Sequence, residues 1–234
     1  MNNIICAIDT KNMEEAIKIT TLLKGHINMV KCGLEYFTSN GNTGIKKIAS
    51  TGVDIFLDLK FHDIPNTVAE AVKSAVHFNV SMITIHILGG KTMMEKAVEA
   101  ATEESDKLGV KKPLIIGVSI LTSIDNDELN EIGIFNDIQE QVIILAKLAK
   151  EAGLDGIVCS SHEIKKIKQV CGCDFITVVP GIRPQSMDKN DQKRVATPGE
   201  AVNNGADYIV IGRPITQSNN PLETVKLIQD SMRI

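Results

Sequence analysis

The run Phe56-Leu57-Asp58-Leu59-Lys60-Phe61-His62-Asp63-Ile64-Pro65-Asn66-Thr67 holds more chemistry than any other stretch of this chain. It opens as an apolar strand, Val53 to Leu57, and ends in charge. Side chains alternate along a strand, so Asp58 and Lys60 project from one face, and Asp63 follows just past the strand end. An ammonium fixed between carboxylates is favoured in its charged form and can deliver a proton where negative charge develops. A structural ion pair is the plainer reading of Asp58 and Lys60. Burying both without a use is wasteful, so the chemical reading is preferred.

Such side chains need a scaffold that aims them. Short β-branched runs alternate with segments of helical period along the whole chain. Strands are expected at Ile4–Ile8, Asn28–Cys32, Asp54–Leu59, Met82–His86, Leu114–Ile120, Gly156–Ser160, Phe175–Val179 and Tyr208–Ile211. Helices are expected at Met13–Leu23, Gly44–Ser50, Thr67–Phe78, Thr92–Leu108, Ile138–Ala152, Ser161–Gln169, Gly199–Asn204 and Pro221–Met232. The strands are nearly continuous apolar runs, as parallel strands covered on both faces should be. Alternation at this length predicts an α/β fold, a (β/α)₈ TIM barrel formed as a single domain by residues 1–234. An open doubly wound sheet is the alternative, but no Gly-x-Gly-x-x-Gly follows the first strand. Thr67-Val68-Ala69-Glu70 has the pattern of a capping box, and Gly153 closes the helix before the sixth strand.

In a barrel of this kind the active site lies at the carboxyl ends of the strands. Asp9 ends the first strand, and the second ends around Lys31. Asp58, Lys60 and Asp63 end the third, and His86 ends the fourth. Ser119 and Thr122 follow the fifth. The seventh ends in Val179-Pro180-Gly181-Ile182-Arg183 and the eighth in Ile211-Gly212-Arg213-Pro214. A glycine and an arginine leading into a helical turn after the eighth strand suggest a phosphate site, against a turn glycine beside a surface arginine. The segment Arg183 to Ala196 is polar and long for such a connection, which predicts a functional loop from which Gln192 reaches a ligand. Thr122 can also be read as the start of a polar turn, and Thr67 as a helix cap that also meets ligand. His62 is read as packing, out of phase with Lys60, and His86 as either functional or a satisfied rim residue. The acidic cluster Asp125, Asp127, Glu128 and Glu131 is read as a solvated short helix rather than a metal site.

The whole-chain figures narrow the function classes. A chain of 234 residues with net charge -4 and no Lys/Arg-rich block argues against nucleic acid as a partner. No apolar run approaches membrane-spanning length, and Ile4 to Ile8 is too short for a signal core, so no membrane is expected and a cytoplasmic setting is. The 5 cysteines (Cys6, Cys32, Cys159, Cys171 and Cys173) are odd in number and are expected to be buried free thiols. With no Trp and 3% aromatics, the core must be built from aliphatic residues and methionine.

Taken together, several segments resemble the bacterial orotidine 5′-phosphate decarboxylase family over nearly the whole length. They are Ala7-Ile8-Asp9, Val30 to Glu35, Leu57 to Thr67, Val179 to Pro184, Asp191 to Val195 and Asp207 to Thr216. The resemblance implies decarboxylation of orotidine 5′-monophosphate to UMP and carbon dioxide, with no metal and no organic cofactor. It implies Lys60 as proton donor, in a charge array with Asp58, Lys31 and Asp63. It assigns ribose contacts to Asp9 and Lys31, a pyrimidine contact to Thr122, and phosphate contacts to Arg183, Gly212 and Arg213. Pro180 would line the site, and Gln192 would link base and phosphate. Asp63, Ile64 and Thr67 would reach the active site of a partner subunit, which makes the expected enzyme a homodimer. Two rivals remain. One is a metal-dependent sugar-phosphate decarboxylase or aldolase on the same barrel, in which a carboxylate would stand at Lys31. The other is a barrel that only binds nucleotides.

Overall fold

The computed structural model describes residues 3–184 and 194–232. Eight parallel strands close into one barrel, each hydrogen-bonded to its sequence neighbours, and β1 pairs with β8. The strands are β1 (Ile4–Ile8), β2 (Met29–Gly33), β3 (Asp54–Phe61), β4 (Met82–His86), β5 (Leu114–Val118), β6 (Gly156–Val158), β7 (Ile176–Val179) and β8 (Tyr208–Ile211). The expected TIM barrel is the observed fold. Every expected strand is present, with ends displaced by two residues or fewer.

Alternation along these strands sorts the core into two shells. Ile5, Ala7, Met29, Phe56, Met82, Ile116, Val178 and Val210 form an apolar cluster inside the barrel. Their neighbours, such as Ile4, Cys6, Val30, Cys32, Ile55, Leu57 and Ile83, belong to the larger cluster under the helices. Burying one such side chain is worth roughly 1.5–3 kcal/mol, so this double shell is what holds the rim in place. Following the inward parity upward, Ala7 is succeeded by Asp9, Met29 by Lys31 and Phe56 by Asp58. The interior thus changes from hydrocarbon to charge at its carboxyl end.

The helices are α1 (Met13–Leu23), α2 (Leu34–Ala49), α3 (Pro65–Val76), α4 (Lys91–Leu108), α5 (Asn126–Glu131), α6 (Ile138–Glu151), α7 (Ile164–Cys171), α8 (Pro198–Asn203), α9 (Arg213–Thr216) and α10 (Pro221–Ser231). Three differ from expectation by two residues or more, among them α7, which starts three residues after Ser161. α2 begins ten residues before Gly44, and a non-helical Gly41 (φ 56°, ψ -152°) interrupts it. α3 begins at Pro65 with Ile64 as its N-cap and no side-chain cap bond, so Thr67 lies in the first turn and does not cap the helix. Proline's fixed φ and missing N–H suit the first helical position, and it outranks the capping-box pattern here. The acidic cluster after β5 is the short helix expected, α5, closed by a capping box between Asp125 and Glu128. Gly153 takes φ 83° just past α6, as a helix stop should.

Four of the five cysteines are buried free thiols, but Cys173 is exposed, contrary to expectation. It sits in the turn between α7 and β7 rather than in a strand. Among the described residues, no helix is long and apolar enough to cross a membrane.

Candidate active site

A cavity of about 270 Å³ opens at the carboxyl ends of the strands. Asp9, Lys31, Asp58, Lys60, Thr122, Pro180, Arg183, Gly212 and Arg213, contributed by six strand ends, all line it. Inward apolar residues such as Phe56, Val178 and Val210 form its floor.

Charge is concentrated on one wall. Lys60 Nζ donates to Asp58 Oδ1 at 2.9 Å. Lys31 Nζ lies 3.4 Å from Asp58 Oδ2 and 3.5 Å from Asp9 Oδ1. The order along the wall is therefore Asp9, Lys31, Asp58, Lys60, with signs alternating. Burial alone would raise the Asp58 carboxyl, but the Lys31 and Lys60 ammonium groups outweigh it and hold it below the usual carboxylate range. Burial likewise opposes charge on Lys31, yet Asp58 and Asp9 outweigh it and lift Lys31 above the usual lysine range. Small residues make room for this array. A Cβ at Gly33 would stand 2.9 Å from Lys31 Nζ and 3.5 Å from Asp9 Oδ1, displacing the ammonium from its partners.

Lys60 is aimed by an irregular backbone. Its φ is +52°, one of two positive values among described non-glycine residues. The pairing of β3 with β4 shifts here: Leu57 faces Ile83 and Phe61 faces Ile85, so Asp58, Leu59 and Lys60 stand against Thr84 alone. A left-handed non-glycine residue costs about 1–3 kcal/mol and persists only where its surroundings impose it. Bulges re-aim side chains at barrel rims in this way.

Next to the Asp9 end of this wall, Gly212 caps α9 and lies against the first strand. A Cβ there would sit 3.3 Å from Ala7 Cβ and 3.6 Å from Asp9 Oδ2. Arg213 and Arg183 also line the cavity. The arms around the polar loop are joined: Arg183 N donates to Ala196 O at 2.9 Å, and Ala196 N to Gly181 O at 3.2 Å. Arg194 is tied to the buried Glu163 at 2.7 Å and donates to the carbonyl of Ile120 at 3.0 Å. Gln192 and most of the expected loop lie outside the described residues.

Asp63, Ile64 and Thr67 do not join the other residues in the cavity. All three are exposed, Asp63 and Ile64 on the β3–α3 connection and Thr67 in the first turn of α3, and Asp63 Oδ1 accepts from Ile64 N at 2.7 Å. Ile64 is 66% exposed. His86 packs against His62, with ring centroids 5.2 Å apart. Burial, helped by His62 and Lys60, pushes its imidazole down to about 4, so His86 is neutral at pH 7 and serves as a packed rim residue. Thr84 was missed from sequence. A β-branched residue in an apolar strand reads as a strand former, and its hydroxyl was the one signal available.

The described residues and their geometry have counterparts. A family model for "Orotidine 5′-phosphate decarboxylase / HUMPS family" matches residues 2–228. An orotidine 5′-phosphate decarboxylase of Wolbachia sp. subsp. Brugia malayi (strain TRS) is 47% identical, covering 99% of this chain and 100% of that protein. One from Ehrlichia canis (strain Jake) is 47% identical over 100% of this chain and 99% of its own. The crystal structure of orotidine 5′-phosphate decarboxylase from Lactobacillus acidophilus superposes with a TM-score of 0.88 at 38% identity, covering 100% of both chains.

Proposed function

The chain belongs to the orotidine 5′-phosphate decarboxylase family, and from that membership we propose how its residues convert orotidine 5′-monophosphate to UMP and carbon dioxide in pyrimidine biosynthesis. The observation that carries the proposal is the Lys60 ammonium held 2.9 Å from the Asp58 carboxylate at the top of the cavity. When the bond from C6 to the carboxylate breaks, carbon dioxide leaves and its electron pair stays on C6. Lys60 stabilises that pair and then protonates it, and solvent restores the lysine proton. Asp58 holds Lys60 beside the departing carboxylate, and Lys31 keeps Asp58 ionised. Preorganised charge of this kind acts without reorganisation in the transition state. Asp9 and Lys31 bind the ribose hydroxyls, Thr122 the pyrimidine, and Pro180 bounds the site. Arg183, Gly212 and Arg213 take the phosphate, with Gln192 linking base and phosphate.

The reaction is proposed to need no metal or organic cofactor. Lys31 supports this: it puts an ammonium between Asp58 and Asp9, where a divalent cation would need the carboxylates for itself. Purified protein incubated with orotidine 5′-monophosphate is expected to form UMP at the same rate before and after exhaustive EDTA treatment. Loss on chelation with recovery on added magnesium would favour a metal-dependent relative, and binding without turnover would favour a nucleotide-binding barrel.

Phosphate contacts exist before the chemical step as well as during it. Arg213→Ala is therefore expected to raise KM about 10- to 100-fold, the worth of a lost charge-assisted hydrogen bond, with kcat within about 10-fold. A collapse of kcat at unchanged KM would remove Arg213 from the phosphate site.

The enzyme is proposed to be a homodimer whose sites are shared. The exposed Asp63, Ile64 and Thr67, outside the lining of their own cavity, support a role in a partner's site. Five unpaired cysteines support a reducing, cytoplasmic setting.

A further inference from the structure

One buried hydroxyl connects the two residues on which the chemistry turns. Thr84 is 0% exposed and is not among the residues lining the cavity. Its inward position on β4 places it opposite the three-residue bulge Asp58-Leu59-Lys60. Thr84 Oγ1 accepts from the Lys60 backbone N–H at 2.9 Å. The same oxygen donates to Asp58 Oδ1 at 2.9 Å, the oxygen that also receives Lys60 Nζ. The N–H of Lys60 thus finds its acceptor in a side chain instead of the sheet ladder, at the residue whose φ is +52°. A hydroxyl has one proton and two lone pairs, so it can make both bonds at once.

We propose that Thr84 is a positioning residue for the decarboxylation: it locks the Lys60 backbone in its left-handed bulge and fixes the Asp58 carboxylate, and so sets where the ammonium stands over the cavity. The inference rests on Lys60 as proton donor. Thr84 touches no substrate; it acts through the two residues it bridges. Valine has threonine's shape without the hydroxyl. Serine keeps the hydroxyl without the methyl.

In Thr84→Val, kcat is expected to fall about 100-fold, the scale set by small misplacement of a reacting group, with KM within about 3-fold. Thr84→Ser is expected to stay within about 5-fold of wild type in both constants. Should Thr84→Val not fold, Thr84→Cys keeps the size and offers only a weak donor; a kcat loss of at least about 10-fold is expected there. Rates are referred to sites titrated with UMP, so that a purely structural residue would lower the melting temperature and leave kcat per site unchanged. That result overturns the proposal, as does a Thr84→Ser as slow as Thr84→Val. Lys60→Ala, measured alongside, separates the two ideas. If Lys60→Ala loses turnover and Thr84→Val keeps it, Thr84 falls and the donor stands. If Lys60→Ala keeps turnover, both fall.

Discussion

Lys60→Ala is expected to lower kcat by at least about 10⁴-fold, the product of the smaller limits for a lost proton donor and a lost charge stabiliser. The ammonium stands 2.9 Å from Asp58 and faces the cavity, and among the residues lining the cavity the cations besides Lys60 are Lys31, Arg183 and Arg213. Lys31 is held by Asp58 and Asp9. The two arginines follow strands seven and eight, where the phosphate is proposed to bind. Alanine leaves Asp58 paired with Lys31 and hydrogen-bonded to Thr84, so the fold should persist. UMP binding by calorimetry checks that the site remains, and single-turnover formation of UMP checks the chemistry. Turnover within about 10-fold of wild type would show that another group protonates C6.

Mixing two inactive variants is expected to restore activity from none. Asp63 is three residues from Lys60 in sequence, yet it is exposed on the β3–α3 connection and does not line its own cavity. In the proposed shared-site homodimer, Lys60→Ala would remove the donor from both sites and Asp63→Ala the partner's carboxylate from both. In a mixed dimer with shared sites, one site carries both defects and the other carries neither. Random reassortment of equal amounts makes about half the dimers mixed, so roughly a quarter of wild-type sites should return. Each variant must first elute as a dimer in gel filtration, and subunit exchange is followed with two tags. Proven exchange without recovered activity would assign Asp63 to the same site as its own Lys60.

The barrel and most of the cavity were legible because both follow from alternation. Period two in the strands puts Met29, Phe56 and Val210 inside, and the same parity carries Lys31, Asp58 and Gly212 to the rim. What alternation does not contain is the extra length of β3 against β4. Asp58 and Lys60 share a face as expected, but they meet through a bulge and a left-handed residue that no local pattern announced. Thr84 was hidden for the same reason, since its role exists only across that irregular pair of strands. Local propensity misled at α2, where Asn40, Gly41, Asn42 and Gly44 obscure a helix that packing on Tyr36, Ile45 and Ile48 sustains. It misled again at Thr67, where Pro65 decides the start. The expected role of the β3–α3 connection toward a partner rests on the resemblance; within one chain, the exposure of Asp63 and Ile64 is only consistent with it.

Closure of the barrel has a consequence for synthesis of the chain. β1 is wholly apolar and buried, and it pairs on one side with β2 and on the other with β8, through Ile4↔Ile209 and Cys6↔Ile211. Its second partner emerges from the ribosome about 200 residues after it does. Until then β1 is a bare hydrophobic edge, the kind of template on which nascent chains mispair and aggregate. The catalytic rim is divided by the same seam. Asp9 and Lys31 are made first, while Gly212, which lies beside Asp9 across the β1–β8 junction, and Arg213 are made last. No partly made chain has a nucleotide pocket, so the ligand can stabilise only the finished ring. With β2 on the other side of β1, protection of the edge that awaits β8 falls to a chaperone for most of the time the protein is being built.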